Sequence, residues 1–471
     1  MNGLDFSKMV RFGRPADQHL LPHERALLAC ARPDPADARR ELGHALRSPD
    51  NISRSLTGIN WGLLVAKSIR HGLILQLALY LRDYRSDPLA PPAIAARVES
   101  LYEGSAFRTE VLLREAARLI RALDGAGIPV ILLKGPALAQ TVYPDWRHRP
   151  FADIDLLVDP AQCEAAGRVA AAIGYRSDSV ESLQARAHQC WSFSGSEDIA
   201  TSAVAPEFDA AIDSAAIARH CHRIAVEIHW TLLRDGFGCA REHDHESVFR
   251  TSRMIHFPEG APARVLSPEA ALVHLAQHAV QHAWTRLLFA QDISLVIQRS
   301  DGGIDWDSAL SLAHSFGVSS ALRGGLIFVH RELGVPVPAE AMESRQSLPI
   351  GREAWAPHGS VRSPPDAVEA KSERSTPTAV VGWSRHRLSP AYVLRADDAP
   401  GHEIVIRRWL MARAPWIRPS ILLRWLIPTG EIVRDQYGVR GRFRRALFYP
   451  YRMLRLVRIT IGVLIRLIGT I

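Results

Sequence analysis

The sequence predicts an α+β fold, a small mixed-sheet core flanked by N- and C-terminal helical regions, and three observations predict it. Up to about Asp124 the apolar residues recur at helical spacing. Between about 125 and 235 the pattern changes to short apolar runs, Pro129–Leu133, Asp153–Val158 and Ile224–Trp230, with helical sequence between them and strong Gly and Pro punctuation. Helical periodicity then returns from Ser267 to Leu333.

Each element has its own reason. Trp61–Leu81 is too long and too leucine-rich for a strand, and Lys67, Arg70 and His71 interrupt it, which argues against a membrane span. Phe107–Leu123 is amphipathic and ends at the turn signal Asp124-Gly-Ala-Gly. A helix from about Ala161 to Ile173 is closed by Gly174, and Ser267-Pro-Glu is a helix start. Residues 192–218 are small, polar and aperiodic, the signature of an insertion or loop. The expected organisation is a helical region 1–124, an α/β core 125–235 and a helical domain 236–338 over its cleft. A disordered linker 339–400, rich in Pro, Ser, Arg and Glu, and a basic amphipathic region 401–471 complete it.

The 471 residues, 47% hydrophobic and 23% charged, exclude collagen-like, wholly disordered and polytopic membrane classes. Five scattered cysteines (Cys30, Cys163, Cys190, Cys221 and Cys239) form no C-x-x-C pair, so a disulfide framework and a thiolate zinc site are not expected. With no secretory signal visible at the N-terminus, a reducing, cytoplasmic setting is expected. Charge is uneven: from Gly401 to Ile471 fourteen Arg face Glu403, Glu431 and Asp435, a net of +11, which leaves 8 − 11 = −3 for the rest. A basic tail on a near-neutral body points to a surface-binding tail rather than to a nucleic-acid-binding body.

The chemistry concentrates in the core. Asp153 and Asp155 sit at i and i+2 of an expected strand, so both carboxylates share one face while Ile154 and Leu156 pack on the other. Paired carboxylates repel unless a cation lies between them, and magnesium suits a few carboxylates plus substrate phosphates. Glu227, between Val226 and Ile228, adds a third carboxylate on an apolar strand. Three such groups could hold two magnesium ions for in-line phosphoryl transfer. D-x-D alone is a weak signal; the Lys134-Gly135 turn directly after a buried strand strengthens it. The glycine would let backbone N–H groups approach phosphate, and Lys134, one of four lysines, adds a charge.

Leu132-Leu-Lys-Gly-Pro-Ala-Leu, Tyr143, Arg149, Ala152-Asp-Ile-Asp-Leu-Leu-Val and Glu227-Ile-His-Trp together resemble bacterial nucleotidyltransferases of the DNA polymerase β-like superfamily. The resemblance runs from about Trp61 to Pro338, with weaker similarity around Leu426-Ile-Pro-Thr-Gly. It implies a nucleotidyltransferase core, magnesium, an NTP co-substrate and transfer of a nucleoside monophosphate to a hydroxyl or phosphate acceptor. By the same resemblance Asp153, Asp155 and Glu227 would be catalytic metal ligands, Gly135 would shape the phosphate turn, and Lys134 and Arg149 would neutralise phosphate. Pro136 departs from the superfamily's Gly or Ser at that place and removes a donor to phosphate. The acceptor (small molecule, sugar or peptide) and the choice of NTP, ATP included, stay open.

His274, His278, His282, Arg286 and Asp292 fall at offsets 0, 4, 8, 12 and 18, within an arc of roughly 120° if one helix carries them. The reading is a helix leaning over the cleft, with His278, His282 and Arg286 near nucleotide or acceptor; a structural role and a zinc site are the alternatives, though H-E-x-x-H is absent. In the tail Arg452, Arg455, Arg458 and Arg466 share an arc, and the uncharged stretch Ile459–Ile465 is far too short to span a bilayer. An interfacial helix on an anionic membrane surface, on the inner face of the membrane, and a basic helix docked on the protein's own core or on a protein partner are equally open. A non-catalytic binding or scaffold protein of the same fold is the competing reading, and nucleic-acid binding through the tail is a third.

Overall fold

The computed structural model describes residues 20–47, 59–84, 89–177, 188–194, 223–233, 245–343 and 390–395. The N-terminal helices are α1 (Pro22–Cys30), α2 (Pro35–Arg47), α3 (Trp61–His71), α4 (Ile74–Arg82) and α5 (Pro92–Gly125). The apolar run expected as one helix over 61–81 is two. Asn60 caps α3 by accepting from the Leu63 N–H, and Gly72 ends it at φ 75°. A Cβ on Gly72 would lie 2.8 Å from Leu288 Cδ2, so both the left-handed backbone and the close approach call for glycine. Helix α5 begins at Pro92, well before the expected Phe107.

Seven described strands form one mixed sheet in the order β3-β4-β5-β2-β1-β7-β6. They are β1 (Ile131–Leu132), β2 (Asp153–Leu157), β3 (Arg176–Ser177), β4 (His188–Ser194), β5 (Arg223–His229), β6 (Arg253–His256) and β7 (Pro262–Val265). Strand β2 runs parallel to β5 and antiparallel to β1, and β1 runs parallel to β7. Helices α6 (Lys134–Thr141), α7 (Cys163–Ala172) and α8 (His245–Thr251) interleave with them. The α+β class stands. Strand β4 was not expected, and the proposed loop at 192–218 begins inside it; the remainder of that loop lies outside the described residues.

The sheet's two faces bury different things because side chains alternate along a strand. Ile154, Leu156, Val226 and Ile228 pack with α5 and α7 in one apolar cluster. Leu157 faces the other way, into the cluster built from the N-terminal helices together with α9 (Pro268–Gln281), α10 (Leu288–Arg299), α11 (Trp306–Ser315) and α12 (Ser319–Leu333). Asp153, Asp155, Glu227 and His229 therefore share the face that looks toward this helical layer.

The span read as a linker carries helix at both ends, α13 (Ala339–Met342) and α14 (Pro390–Arg395). Val393 and Leu394 are fully buried, and Lys67 Nζ donates to the Leu394 carbonyl at 2.8 Å. Among the described residues no helix is long and apolar enough to cross a membrane. The basic region 401–471, with its arginine-lined helix, lies outside the described residues.

Candidate active site

Strand pairing assembles the site. In the β2–β5 register Asp155 lies opposite Glu227 and Leu157 opposite His229. In a parallel pair, partners and their i+2 neighbours project from the same face, so Asp155, Glu227 and His229 converge. One ligand atom from each lies within 4.8 Å of the others, a spacing that could hold a metal ion. Asp153 is half-buried on the same face but is not one of that group of three. The expected metal set was Asp153, Asp155 and Glu227; the closest-set donors among the described residues bring in His229 instead.

Asp155, 2% exposed, is the centre of the charge network. Its Oδ1 accepts from Lys134 Nζ at 2.7 Å and lies 2.8 Å from His229 Nε2, which is itself 3.3 Å from Glu227 Oε2. Burial alone would raise the Asp155 pKa, but the Lys134 ammonium and the His229 hydrogen bond override it and hold the carboxyl far below its usual range. Burial likewise opposes the charged forms of Lys134 and His229; the carboxylates outweigh it and hold both above their ordinary values. Asp153 behaves oppositely: burial and the Asp155 charge push it up to about 6. Two carboxyls on one strand face are thus driven apart in acidity by which of them the lysine reaches.

Lys134 and Gly135 differ from the expected phosphate-cradling turn. They open helix α6, and Lys134 sits at φ 47°, a left-handed backbone that a non-glycine residue adopts at a cost. A Cβ on Gly135 would lie 2.4 Å from Phe151 Cβ, so the glycine is required by the close packing of α6 on the segment before β2. Gly135→Ala is expected to destabilise the protein by about 1–3 kcal/mol. Denaturation midpoints check this, and an unchanged midpoint would contradict the packing role.

Arg149 is buried, and its guanidinium forms a bidentate pair with Asp292, Nε to Oδ1 and Nη2 to Oδ2, both at 2.7 Å. Tyr143 donates its hydroxyl to the same Oδ1 at 2.8 Å, and Arg149 Nη1 donates to the Pro150 carbonyl. Asp292 lies on α10, so this pair clips the helical layer to the core. Arg149's charge is still felt at Asp153.

The expected single helix bearing the polar stripe is broken. Ala283 (φ 51°) and Trp284 (φ 54°) both take left-handed backbone, and Trp284 buries its ring against Phe328 at 5.6 Å between centroids. His274 and His278 lie on α9, His282 at its C-terminal cap, Arg286 in the junction and Asp292 on α10. The stripe still gathers in space. The His278 ring lies tilted against His282, 4.4 Å between centroids, and meets Phe289 edge-on at 5.2 Å. Burial holds the His278 imidazole well below its ordinary pKa, with Lys134 adding to the effect. Arg286 is exposed, has no hydrogen bond or ion pair among the described residues, and interacts through its charge with Arg149 and Asp153.

His229 and Tyr143 join the site although the sequence motifs that contain them imply no role for either. The signal for His229 was available: it stands at i+2 from Glu227 on a strand and so must share its face.

A mixed sheet that sets carboxylates from adjacent parallel strands against a lysine, under a helical layer with an arginine at the junction of two of its helices, defines a nucleotidyltransferase-type α+β core. Residues 57–334, more than half of the chain, match the family described as uncharacterised nucleotidyltransferases, and the chain belongs to that family. No curated protein matches the sequence.

Proposed function

We propose that this protein transfers a nucleoside monophosphate from an NTP to a hydroxyl or phosphate acceptor with magnesium at Asp155 and Glu227. The observation that carries the reading is the β2–β5 register, which sets these two carboxylates side by side with Asp153 on the same face. The donor chemistry fits: carboxylate oxygens suit a hard divalent cation, and an adjacent imidazole that hydrogen-bonds both carboxylates orients them. When bound, magnesium supplies charge neutralisation at the transferring phosphoryl group. Two ions would draw on Asp153 as well.

The chain's own residues have distinct parts in this reading. Lys134 and Arg286 take phosphate oxygens; Lys134 now satisfies Asp155, and Arg286 has no protein partner among the described residues. Arg149, held by Asp292, places positive charge behind Asp153. His278 and His282, with Phe289, offer a cluster of mutually tilted rings to the nucleotide. The helical layer over the strand face would shape the acceptor side.

Calorimetric titration of the four NTPs, with and without magnesium, on wild type and on Asp153→Asn/Asp155→Asn tests the proposal. Magnesium-dependent binding confined to wild type is expected, and equal behaviour of the two proteins would sink it. Arg286→Ala should weaken NTP binding or kcat/KM by about tenfold or more, the scale of a lost charge-assisted hydrogen bond, with stability within about 0.5 kcal/mol of wild type. A loss of stability without a loss of affinity would assign Arg286 a structural role.

Metal affinity should also depend on pH in a defined direction. Asp153 must be ionised to ligate, and its pKa lies near 6. Protons therefore compete below that pH, and manganese or magnesium should bind about tenfold more weakly at pH 5 than at pH 7.5. His229, also held above its ordinary pKa, acts in the same direction. Affinity that is flat across this range would remove Asp153 from the ligand set.

One observation favours a second reading, a nucleotidyltransferase fold kept for binding or scaffolding. Pro136 lies in the first turn of α6 and removes a backbone donor there. NTP binding without turnover on any acceptor would select it. The membrane or protein partner of the basic tail belongs to either reading.

A further inference from the structure

Helix α3 has a buried side and an exposed one. Leu64, Lys67, Ser68 and His71 are buried, while Gly62, Leu63, Ala66, Ile69 and Arg70 are exposed. At helical spacing the exposed five fall within one arc of roughly 120°. Leu63 is 37% exposed and Ile69 48%, two of the four large apolar side chains exposed among the described residues. A single exposed leucine is ordinary, but Leu63, Ala66 and Ile69 make a continuous apolar stripe with no carboxylate on it. The stripe is about 12 Å long and 10 Å wide. That is far below the roughly 800 Å² per partner that a stable complex of separate proteins buries. A segment of the same chain needs much less, because a tether supplies an effective concentration on the order of 1 mM.

The chain comes back to this helix 327 positions on, where Lys67 Nζ donates to the Leu394 carbonyl at 2.8 Å. Val393 and Leu394 are fully buried, and α14 packs on α1. Leu63 and Arg70, at i−4 and i+3, flank Lys67 on the helix surface. Residues 396–471 therefore leave from a point fixed at the edge of the exposed stripe. Even as a random coil, a stretch as long as 396–451 spans about 40 Å. Helix α3 is only about 17 Å long, so reach does not limit docking.

The end of the chain has the complementary chemistry. At helical spacing Met453, Val457, Leu464 and Ile468 fall opposite the arc of Arg452, Arg455, Arg458 and Arg466. Laid on α3, this apolar stripe removes both itself and Leu63, Ala66 and Ile69 from water and leaves the arginines solvated. Membrane binding by the tail alone would leave the α3 stripe in water.

We propose that residues 452–468 dock through Met453, Val457, Leu464 and Ile468 on the exposed Leu63–Ala66–Ile69 face of α3, with Pro390–Arg395 as the anchor that holds them nearby. The docking is independent of the nucleotidyl-transfer reading.

The test uses the full chain with the photo-crosslinker p-benzoylphenylalanine in place of the exposed Ala66, and mass spectrometry to locate the link. The expected product is a monomer linked within residues 452–471. Met453→Glu/Val457→Glu/Leu464→Glu should lower its yield about tenfold or more, since a carboxylate cannot enter an apolar contact cheaply. Leu63→Asp/Ile69→Asp, at exposed positions that leave the helix's buried side intact, should do the same. Arg452→Gln/Arg455→Gln/Arg458→Gln should keep the yield within about twofold, because solvated arginines add little to such a contact. Absence of a link to 452–471 overturns the docking. A cross-linked dimer then assigns the face to a second copy, and a link elsewhere in the chain assigns it to that segment. No link at all leaves the stripe in water, and cosedimentation of the wild type with phosphatidylserine vesicles would then give the tail to a membrane. A link that survives both acidic variants, or that the glutamine variant abolishes, overturns the apolar contact.

Discussion

Asp155→Asn is expected to abolish magnesium-dependent NTP binding, lower transfer by at least about 100-fold and destabilise the fold by about 3–5 kcal/mol. The functional loss follows from removing the one carboxylate that both Glu227's neighbour His229 and Lys134 address, at 2.8 and 2.7 Å. The stability loss has a separate cause. Lys134's side chain is only 14% exposed, and without Asp155 its ammonium is left in a poorly solvated place with Asp153 and Glu227 as more distant counter-charges. Adding Lys134→Met to Asp155→Asn should therefore recover much of the stability and none of the nucleotide binding. Chemical denaturation and calorimetry on the single and double variants separate the two effects. If the double variant is no more stable than the single one, the ion pair is not what the fold depends on.

Asp292→Ala should destabilise the protein by a similar amount, about 3–5 kcal/mol, although Asp292 is proposed to touch neither metal nor nucleotide. The pair it forms with Arg149 is 8% and 1% exposed, and its loss leaves a buried guanidinium without a counter-charge and the Tyr143 hydroxyl with only its longer hydrogen bond to Gln291, at 3.3 Å. Breaking one side of a buried ion pair costs more than removing both, so Arg149→Met/Asp292→Leu should lie much closer to wild type in stability. The double variant should still bind nucleotide more weakly, because Arg149's charge no longer supports Asp153. A urea midpoint within the equivalent of about 1 kcal/mol of wild type for Asp292→Ala would contradict this account.

Short-range pattern made much of the site legible. Asp153 and Asp155 share a face because a strand has period two, and Ile154 and Leu156 are buried on the opposite face for the same reason. Ser267 caps α9 through its hydroxyl to the Ala270 N–H, as the Ser-Pro-Glu start indicated. The same short-range logic misled at 274–292. A constant turn angle extrapolated through Ala283 and Trp284 cannot see two left-handed residues, which are stabilised by the burial of Trp284 against a helix more than forty positions on. Strand β4 was missed because its polar and aromatic residues read as loop until β5 supplies a partner.

The sequence by itself determined the α+β class, the family, the strand face that carries Asp153 and Asp155, and the presence of Glu227 on a second strand. These follow from periodicity, capping and residue type over a few neighbouring positions. Only the tertiary structure decided which carboxylate is buried against Lys134, that His229 joins Asp155 across 74 positions, and that Arg149 is spent on Asp292 while Arg286 has no hydrogen bond or ion pair among the described residues. The reason is physical: a side chain's local conformation follows from its neighbours in the chain, whereas its charge partner follows from strand register and helix docking between distant segments, where desolvation and distance choose among several cations and carboxylates of equal sequence merit.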